Sequence, residues 1–343
     1  MSRIIVRPEK LDLDSPGRRD YWVALEHDSL WGDHLMPLTV MVGPEVQEGK
    51  GLMASGSNHG NEYEGPVAIK HLMRETNLSD VMGRIIFIPV LNPAAFQAGH
   101  RSSVADDGVN LNRAFVDGAG VTPALGGITH RIAAFVRAYL WPRVHVVTDI
   151  HSGGTSLEFS PCSSFHEVDD PEQTRIIEDT ARWFGTPFVM KYQNDTPGLL
   201  VSESERLGKI TIGTELGYGE SVNPAGVRYA RQGIRAAAIH HGQLRGDIQP
   251  MGYHADGTQK MVAIVDRACY TPAPFPGHYE PLMTCGKYVT QGQTVGYLHD
   301  FYRIDEAPWP VQAGVDGYLL SQALRAPVVQ GAHILVVARE EKW

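Results

Sequence analysis

The chain has 343 residues, 43% of them hydrophobic and 20% charged, enough for about two domains with real cores and unlike a disordered, collagen-like or coiled-coil chain. Its 30 lysines and arginines against 39 aspartates and glutamates give a net charge of −9, which repels phosphate backbones and anionic lipid and so predicts no nucleic-acid or membrane partner. Histidine, the commonest metal ligand, occurs 15 times against 3 cysteines, Cys162, Cys269 and Cys285; no CxxC pair is present, so neither a disulfide framework nor a thiolate zinc cluster is expected, and a reducing cytoplasm fits best.

The first residues, MSRIIVRPEKLDLDSPGRR, are charged throughout and lack the apolar core of a secretory signal. No stretch reaches the ~18 uncharged apolar residues of a membrane span. Segments 37–42, 51–56, 84–90 and 144–150 read as short buried strands between turn signals. Helical spacing marks 62–76, through Val67, Ile69, Leu72 and Met73, and 128–140, through Ile132, Phe135, Val136 and Tyr139. Further helices are expected over 172–184 and 226–244. Such alternation predicts an α/β fold: a mixed, mostly parallel sheet covered by helices on both faces. Beyond about residue 250 helical periodicity fades. YTPAPFPGHYEP, KYVTQGQTVGYL, GVDGYLLSQ and HILVVAR predict a small all-β C-terminal domain, which divides the chain into 1–250 and 251–343. The GKYVTQGQTVG turn resembles the hairpin of biotinyl/lipoyl-type barrels, but no modification lysine stands in a matching hairpin, so the unit is read as scaffold.

Chemistry concentrates in four segments. In Ser57-Asn58-His59-Gly60-Asn61-Glu62, a histidine and a glutamate three apart follow a predicted strand and open a helix, at the sheet edge where α/β folds bind ligands. An imidazole and a carboxylate suit Zn²⁺, although an isolated HxxE is usually accidental. His151, just past the strand VHVVTDI and before Ser-Gly-Gly, supplies a third ligand, and the glycines would let backbone approach a ligand closely. Asp149, on the same side of that strand, reads either as the acceptor that orients the imidazole or as a strand-end ion pair. Glu215 is a lone carboxylate in an apolar strand pattern, costly to bury unless it works as general base and acid or pairs with an arginine. Arg101 and Asn112-Arg113 suit a substrate carboxylate or an oxyanion; singly, each would be a solvated surface group.

HGNE, NPAAFQAGHR, NLNR, DIHSGG and TELG, in this order, resemble the succinylglutamate desuccinylase/aspartoacylase family of zinc amidohydrolases, relatives of the zinc carboxypeptidases. NHGNEYEGP and HSGG look most like its N-acetyl-diaminobutyrate deacetylase branch. The resemblance implies His59, Glu62 and His151 as ligands of one Zn²⁺ per chain. It implies Glu215 as general acid/base, Arg101 as the group polarising the scissile carbonyl, and Asn112 and Arg113 as holders of the substrate carboxylate. Asn110 stands where several members carry aspartate, Asn61 replaces the aspartate of HGDE, and Tyr218 and Glu220 differ beside the expected pocket.

The resulting expectation is hydrolysis of an N-acyl amino acid, a small-molecule substrate, by metal-activated water. Alternatives are a metallocarboxypeptidase and a non-catalytic metal-binding or small-molecule-binding protein. The acyl group and oligomeric state stay open, a homo-oligomer included, and the same ligands accept Co²⁺, Ni²⁺ or Mn²⁺. The histidines other than His59 and His151 are read as surface or capping residues, with no role for His100.

Overall fold

The structure is a computed structural model that describes residues 4–26, 32–116, 126–192 and 196–343. Its first half contains strands β1 (Ile4–Val6), β2 (Gly17–Glu26), β3 (Asp33–Val42), β4 (Leu52–Gly56), β5 (Arg84–Ile88) and β6 (Val146–Ile150), with helices α1 (Glu64–Glu75), α2 (Pro93–Ala98) and α3 (Ile128–Phe135). Next come β7 (Leu157–Phe159), β8 (Cys162–His166), α4 (Pro171–Arg182), β9 (Phe188–Tyr192), α5 (Leu200–Glu205), β10 (Ile210–Glu215) and α6 (Pro224–His240). After the short helix α7 (Gly252–Ala255), the tail is built from β11 (Lys260–Ile264), β12 (Tyr270–Pro272), β13 (Gly277–Pro281), β14 (Tyr288–Val289), β15 (Thr294–His299), β16 (Trp309–Gln312), β17 (Gly317–Ala323), β18 (Pro327–Val328) and β19 (His333–Glu341).

The large sheet runs β1-β2-β3-β5-β4-β6-β10-β8-β9-β11-β19-β17-β14. Its centre, β5-β4-β6-β10, is parallel, and the direction reverses where β8 joins β10 antiparallel. A smaller antiparallel sheet, β16-β15-β13-β18, lies within the tail. The expected mixed sheet with helices on both faces and a small β unit is what forms. On one face Ala68, Ile69 and Leu72 of α1 pack with Ile177 of α4 and Ala230 and Ile234 of α6. On the other, Ile128, Ile132 and Phe135 of α3, Trp141 and Leu200 cover Met53, Ile86 and Val147. A third cluster, with Leu319, Leu335 and Val337, fills the tail.

Local chemistry explains where the elements begin and end. Asp170 and Asn223 cap α4 and α6 with side-chain oxygens, each followed by proline in the first turn, a combination that satisfies free N–H groups and presets φ. The helix expected over 128–140 stays α-helical only to Phe135 and widens into a π-type turn over 136–140. Pro142 follows; its ring would clash with the carbonyl of Ala138 in a regular helix. The helix expected over 226–244 starts at Pro224 and stops at His240, because Gly242 takes the left-handed conformation (φ +70°) that ends helices. β2 was not expected: its first half, Gly-Arg-Arg-Asp, looks like a loop, and its long antiparallel pairing with β3 makes it a strand.

His241 caps α6 as read from the sequence, but its ring is mostly buried, with Nε2 2.9 Å from the Thr180 hydroxyl. His145 is neither a surface nor a capping residue. Its Nδ1 accepts the Gly51 N–H at 3.0 Å, and its ring meets His241 edge-on with centroids 5.6 Å apart. Burial, with nearby positive charge, lowers the His145 pKa from the ordinary 6.5 to about 4 and that of His241 to about 3. Both rings are therefore neutral in the fold. Their contribution to stability is complete above pH 6.5 and is lost as pH falls from 6.5 towards 4 and 3, where the unfolded chain alone gains the protons. Thermal melts between pH 7.5 and 5 are expected to show falling stability. The double variant His145→Asn/His241→Gln, which keeps an acceptor at each place, is expected to flatten that slope. An unchanged slope would assign the pH dependence to other groups.

Candidate metal and active site

The adjacent, parallel strands β4, β6 and β10 deliver three chain segments to one edge. β4 ends at Gly56, and Ser57 turns the chain in a left-handed conformation (φ +55°) that costs a non-glycine residue energy. Asn58 and His59 follow. Gly60 admits no side chain: a Cβ would lie 2.0 Å from the Ala95 carbonyl carbon, so this turn is wedged against α2. His151 follows β6 directly. Its N–H donates to the Thr214 hydroxyl at 3.0 Å and its carbonyl accepts the Leu216 N–H, which brackets Glu215 at the end of β10. The glycines after His151 serve the chain's own turn rather than a ligand: a Cβ on Gly153 would meet the Leu157 carbonyl oxygen at 2.0 Å.

Glu62, 2% exposed, stands between the two imidazoles. Its Oε1 is 2.8 Å from His59 Nδ1 and its Oε2 is 2.9 Å from His151 Nδ1. The Ser152 N–H donates to Oε2 at 3.0 Å, and Arg101 Nη1 reaches Oε1 at 3.3 Å. Each histidine is also held from behind. His151 Nε2 donates to Asp149 Oδ2 at 2.8 Å, and His59 Nε2 donates to Asn110 Oδ1 at 3.2 Å. Asp149 is fully buried and also accepts from Ser55 and from Asn58 Nδ2, both at 2.8 Å. Of the two roles open in the sequence, Asp149 therefore takes that of the acceptor that orients an imidazole. Asn110 Oδ1 also accepts the Asn112 N–H, so the side chain supports His59 and this turn, while the Asn110 carbonyl accepts the Arg113 N–H.

The protons do not divide evenly. Burial would raise the Glu62 carboxyl pKa, but the charges and hydrogen bonds of both histidines hold it well below the carboxylate range. Burial lowers the His59 pKa. The same burial acts on His151, yet Asp149 and Glu62 together push its pKa well above the ordinary value. His59 Nδ1 and Glu62 Oε1, 2.8 Å apart, are at hydrogen-bond distance, and both atoms can turn to a bound metal. His59, Glu62 and His151 offer one ligand atom each, all within 4.8 Å of one another, and can hold a metal ion; two imidazoles and a carboxylate suit a first-row divalent metal.

A cavity of about 280 Å³ opens beside this group. His59, His151, Arg101, Asn112, Arg113 and Glu215 all line it, so the structure brings the expected site residues together. Glu215 is half-buried, and its enclosed Oε2 has no hydrogen-bond partner among the described residues. Burial first, and then the charge of Glu62, raises its pKa to about 8. Asn112, which also lines the cavity, commits Oδ1 to the Leu200 N–H at 2.9 Å, and its Nδ2 lies 3.4 Å from His151 Nε2. Arg113 anchors Nη1 on the Asn112 carbonyl at 2.5 Å, and burial, with Arg101 nearby, lowers its pKa. Tyr218 and Glu220 do not line the cavity; Glu220 accepts from Asn61 Nδ2 at 3.2 Å instead. His166, read from the sequence as a surface or capping residue, is 7% exposed and lines the cavity, as does Glu205. Neither carries a motif. The alternating Cys162-Ser-Ser-Phe-His166 pattern was the available signal.

The family model of the succinylglutamate desuccinylase/aspartoacylase catalytic domain matches residues 48–241. The chain belongs to this family. It is 35% identical over 312 residues to the N-alpha-acetyl-L-2,4-diaminobutyric acid deacetylase of Halomonas elongata, covering 91% of this chain and 87% of that protein. The fold is similar to the product-bound ectoine utilization protein EutE (DoeB) of Ruegeria pomeroyi, with TM-score 0.86, 29% identity, and 96% and 98% of the two chains covered. It is also similar to a succinylglutamate desuccinylase/aspartoacylase of Rhodobacter sphaeroides, with TM-score 0.89, 28% identity and full coverage of both chains. No helix among the described residues is long and apolar enough to cross a membrane.

Metal titration tests the cluster. His151→Ala is expected to abolish stoichiometric binding, and Asp149→Asn to weaken it about 10–100-fold by loosening the imidazole it orients. Unchanged metal content in His151→Ala would refute this ligand set.

Proposed function

We propose that this member of the family is a zinc-dependent amidohydrolase that removes the acyl group from an N-acyl amino acid. The reading rests on Glu215: a carboxylate whose enclosed Oε2 is unpartnered, in the same cavity as the His59–Glu62–His151 group. Three protein ligands suit one Zn²⁺ per chain in a catalytic role, because structural zinc sites are closed by four. When bound, zinc lowers the pKa of a water to about 7 and polarises a carbonyl oxygen.

Glu215 accepts a proton from the attacking water at Oε2 as oxygen bonds to the acyl carbon. Its pKa of about 8 suits a group that must hold this proton and then release it near neutral pH. The Arg101 guanidinium donates to the carbonyl oxygen as negative charge develops there. Glu215 then passes the proton to the amide nitrogen as the C–N bond breaks, leaving a carboxylate and a free amine. Arg113 and Asn112 Nδ2 hold the carboxylate of the amino acid. An N-acetyl-diaminobutyrate-like substrate is the specific form of the proposal, supported by the Halomonas relative. We assign the chemistry to residues 1–250, a scaffold role to 251–343, and the cytoplasm as the setting.

Amine release from acetyl- and succinyl-amino acids and from small peptides, with zinc content assayed on the same sample, tests the reading. Cleavage of peptides alone would make the chain a metallocarboxypeptidase. Glu215→Gln is expected to retain zinc and lose about 10²–10⁴-fold in kcat; wild-type turnover in that variant would remove the role given to Glu215.

A further inference from the structure

The cavity contains a second titratable pair, apart from the metal ligands. β8 and β10 pair with Gly213 opposite Ser164 and Glu215 opposite Cys162. Ile210 and Ile212 of β10 point into the core on one face, so alternation places Thr211, Gly213 and Glu215 on the other. Gly213 and Ser164 form a small-residue floor in the cavity, with Glu215 beyond one side of it. Towards the opposite end of the strand, the Thr211 hydroxyl donates to Glu205 Oε1, and His166 Nδ1 donates to Glu205 Oε2 at 2.9 Å. His166 and Glu205 are 7% and 6% exposed, and both line the cavity.

The charge of this pair decides what it recognises. Both carboxylate oxygens of Glu205 accept from the chain itself, while His166 Nε2 has no hydrogen-bond partner among the described residues. With Nδ1–H given to Glu205, Nε2 of the neutral ring is an acceptor backed by a carboxylate. The pair carries −1 with a neutral ring and zero with an imidazolium, and it is positive in neither state. With the ring neutral, the pair attracts a cation.

We propose that Glu205 and His166 form a specificity site for an ammonium group on the substrate's side chain, making the enzyme selective for N-acyl diamino acids. This rests on the function proposed above and assigns residues to the diamino preference stated there. N-acetyl-2,4-diaminobutyrate and its neutral isostere N-acetylnorvaline test it. Wild-type kcat/KM is expected to favour the diamino compound at least about 10-fold, in line with the strength of charge-assisted hydrogen bonds. Glu205→Gln and His166→Gln are expected to remove most of that preference through KM, with a several-fold larger loss on the diamino compound than on N-acetylnorvaline. Equal cleavage of both compounds by wild type, or equal losses on both in the variants, would overturn the proposal; equal losses would mark the pair as purely structural. Calorimetric binding of free 2,4-diaminobutyrate against norvaline reads the same preference without turnover. A binding preference without hydrolysis would overturn the proposed reaction and uphold the ammonium site. Hydrolysis without a preference would do the reverse.

Discussion

Burying the Glu62 carboxylate without partners would cost several kcal/mol, and the active edge is organised around meeting that cost. Four groups from three segments converge on its two oxygens: His59, His151, the Ser152 N–H and Arg101. Both Nδ1 atoms point inward because both Nε2 atoms are held outward, by Asn110 and Asp149. Asp149 is fixed in turn by Ser55 and Asn58. The candidate ligand group is thus held in place by the chain's own hydrogen bonds.

Strand order determines which residues can meet there. β6 lies between β4 and β10, all three parallel, so their carboxyl ends open on one side and present His59, His151 and Glu215 together. The sheet reverses direction at β8, beside the strand that carries Glu215, and crevices of α/β sheets form at such changes in topology. Nor is the turn after β4 free to vary. Gly60 is pressed against the Ala95 carbonyl, so the packing of α2 sets the angle at which His59 leaves the strand.

What was legible in the sequence follows from how local each signal is. His59 and Glu62 share one turn, His151 ends an apolar strand, and Glu215 breaks an apolar pattern; each is visible in a few residues. The central strands were equally plain, because burial on both faces makes them continuous apolar runs. β2 was hidden, since its charged half becomes a strand only by pairing with β3. The ends of α3 and α6 depended on Pro142 and Gly242, punctuation that was present but outweighed by periodicity. Glu205 and His166 could not be linked at all: they lie 39 residues apart and meet only because β8 pairs with β10 and α5 packs against β10. The support that Asn110 gives to His59 was hidden for the same reason, as its partner is 51 residues distant.

The pairing of β8 with β10 gives the cavity an axis as well as a wall. Four residues separate Thr211 from Glu215 along β10, about 13 Å at the rise of a strand, and Gly213 and Ser164 keep the space between them shallow. A bulky residue at Gly213 is barred from within, since even a Cβ there would lie 2.7 Å from Ser164 Oγ. Glu215 ends β10 and Thr211, which holds Glu205, lies towards its start, so the backbone of β10 spaces the two ends of the cavity. Asn112 joins the two ends: its Oδ1 fixes the first residue of α5, the helix that ends in Glu205, while its Nδ2 lies 3.4 Å from His151 Nε2. A displacement of the Asn112 turn would move both ends of the cavity together, so under the proposed function selectivity and turnover are coupled through one buried amide.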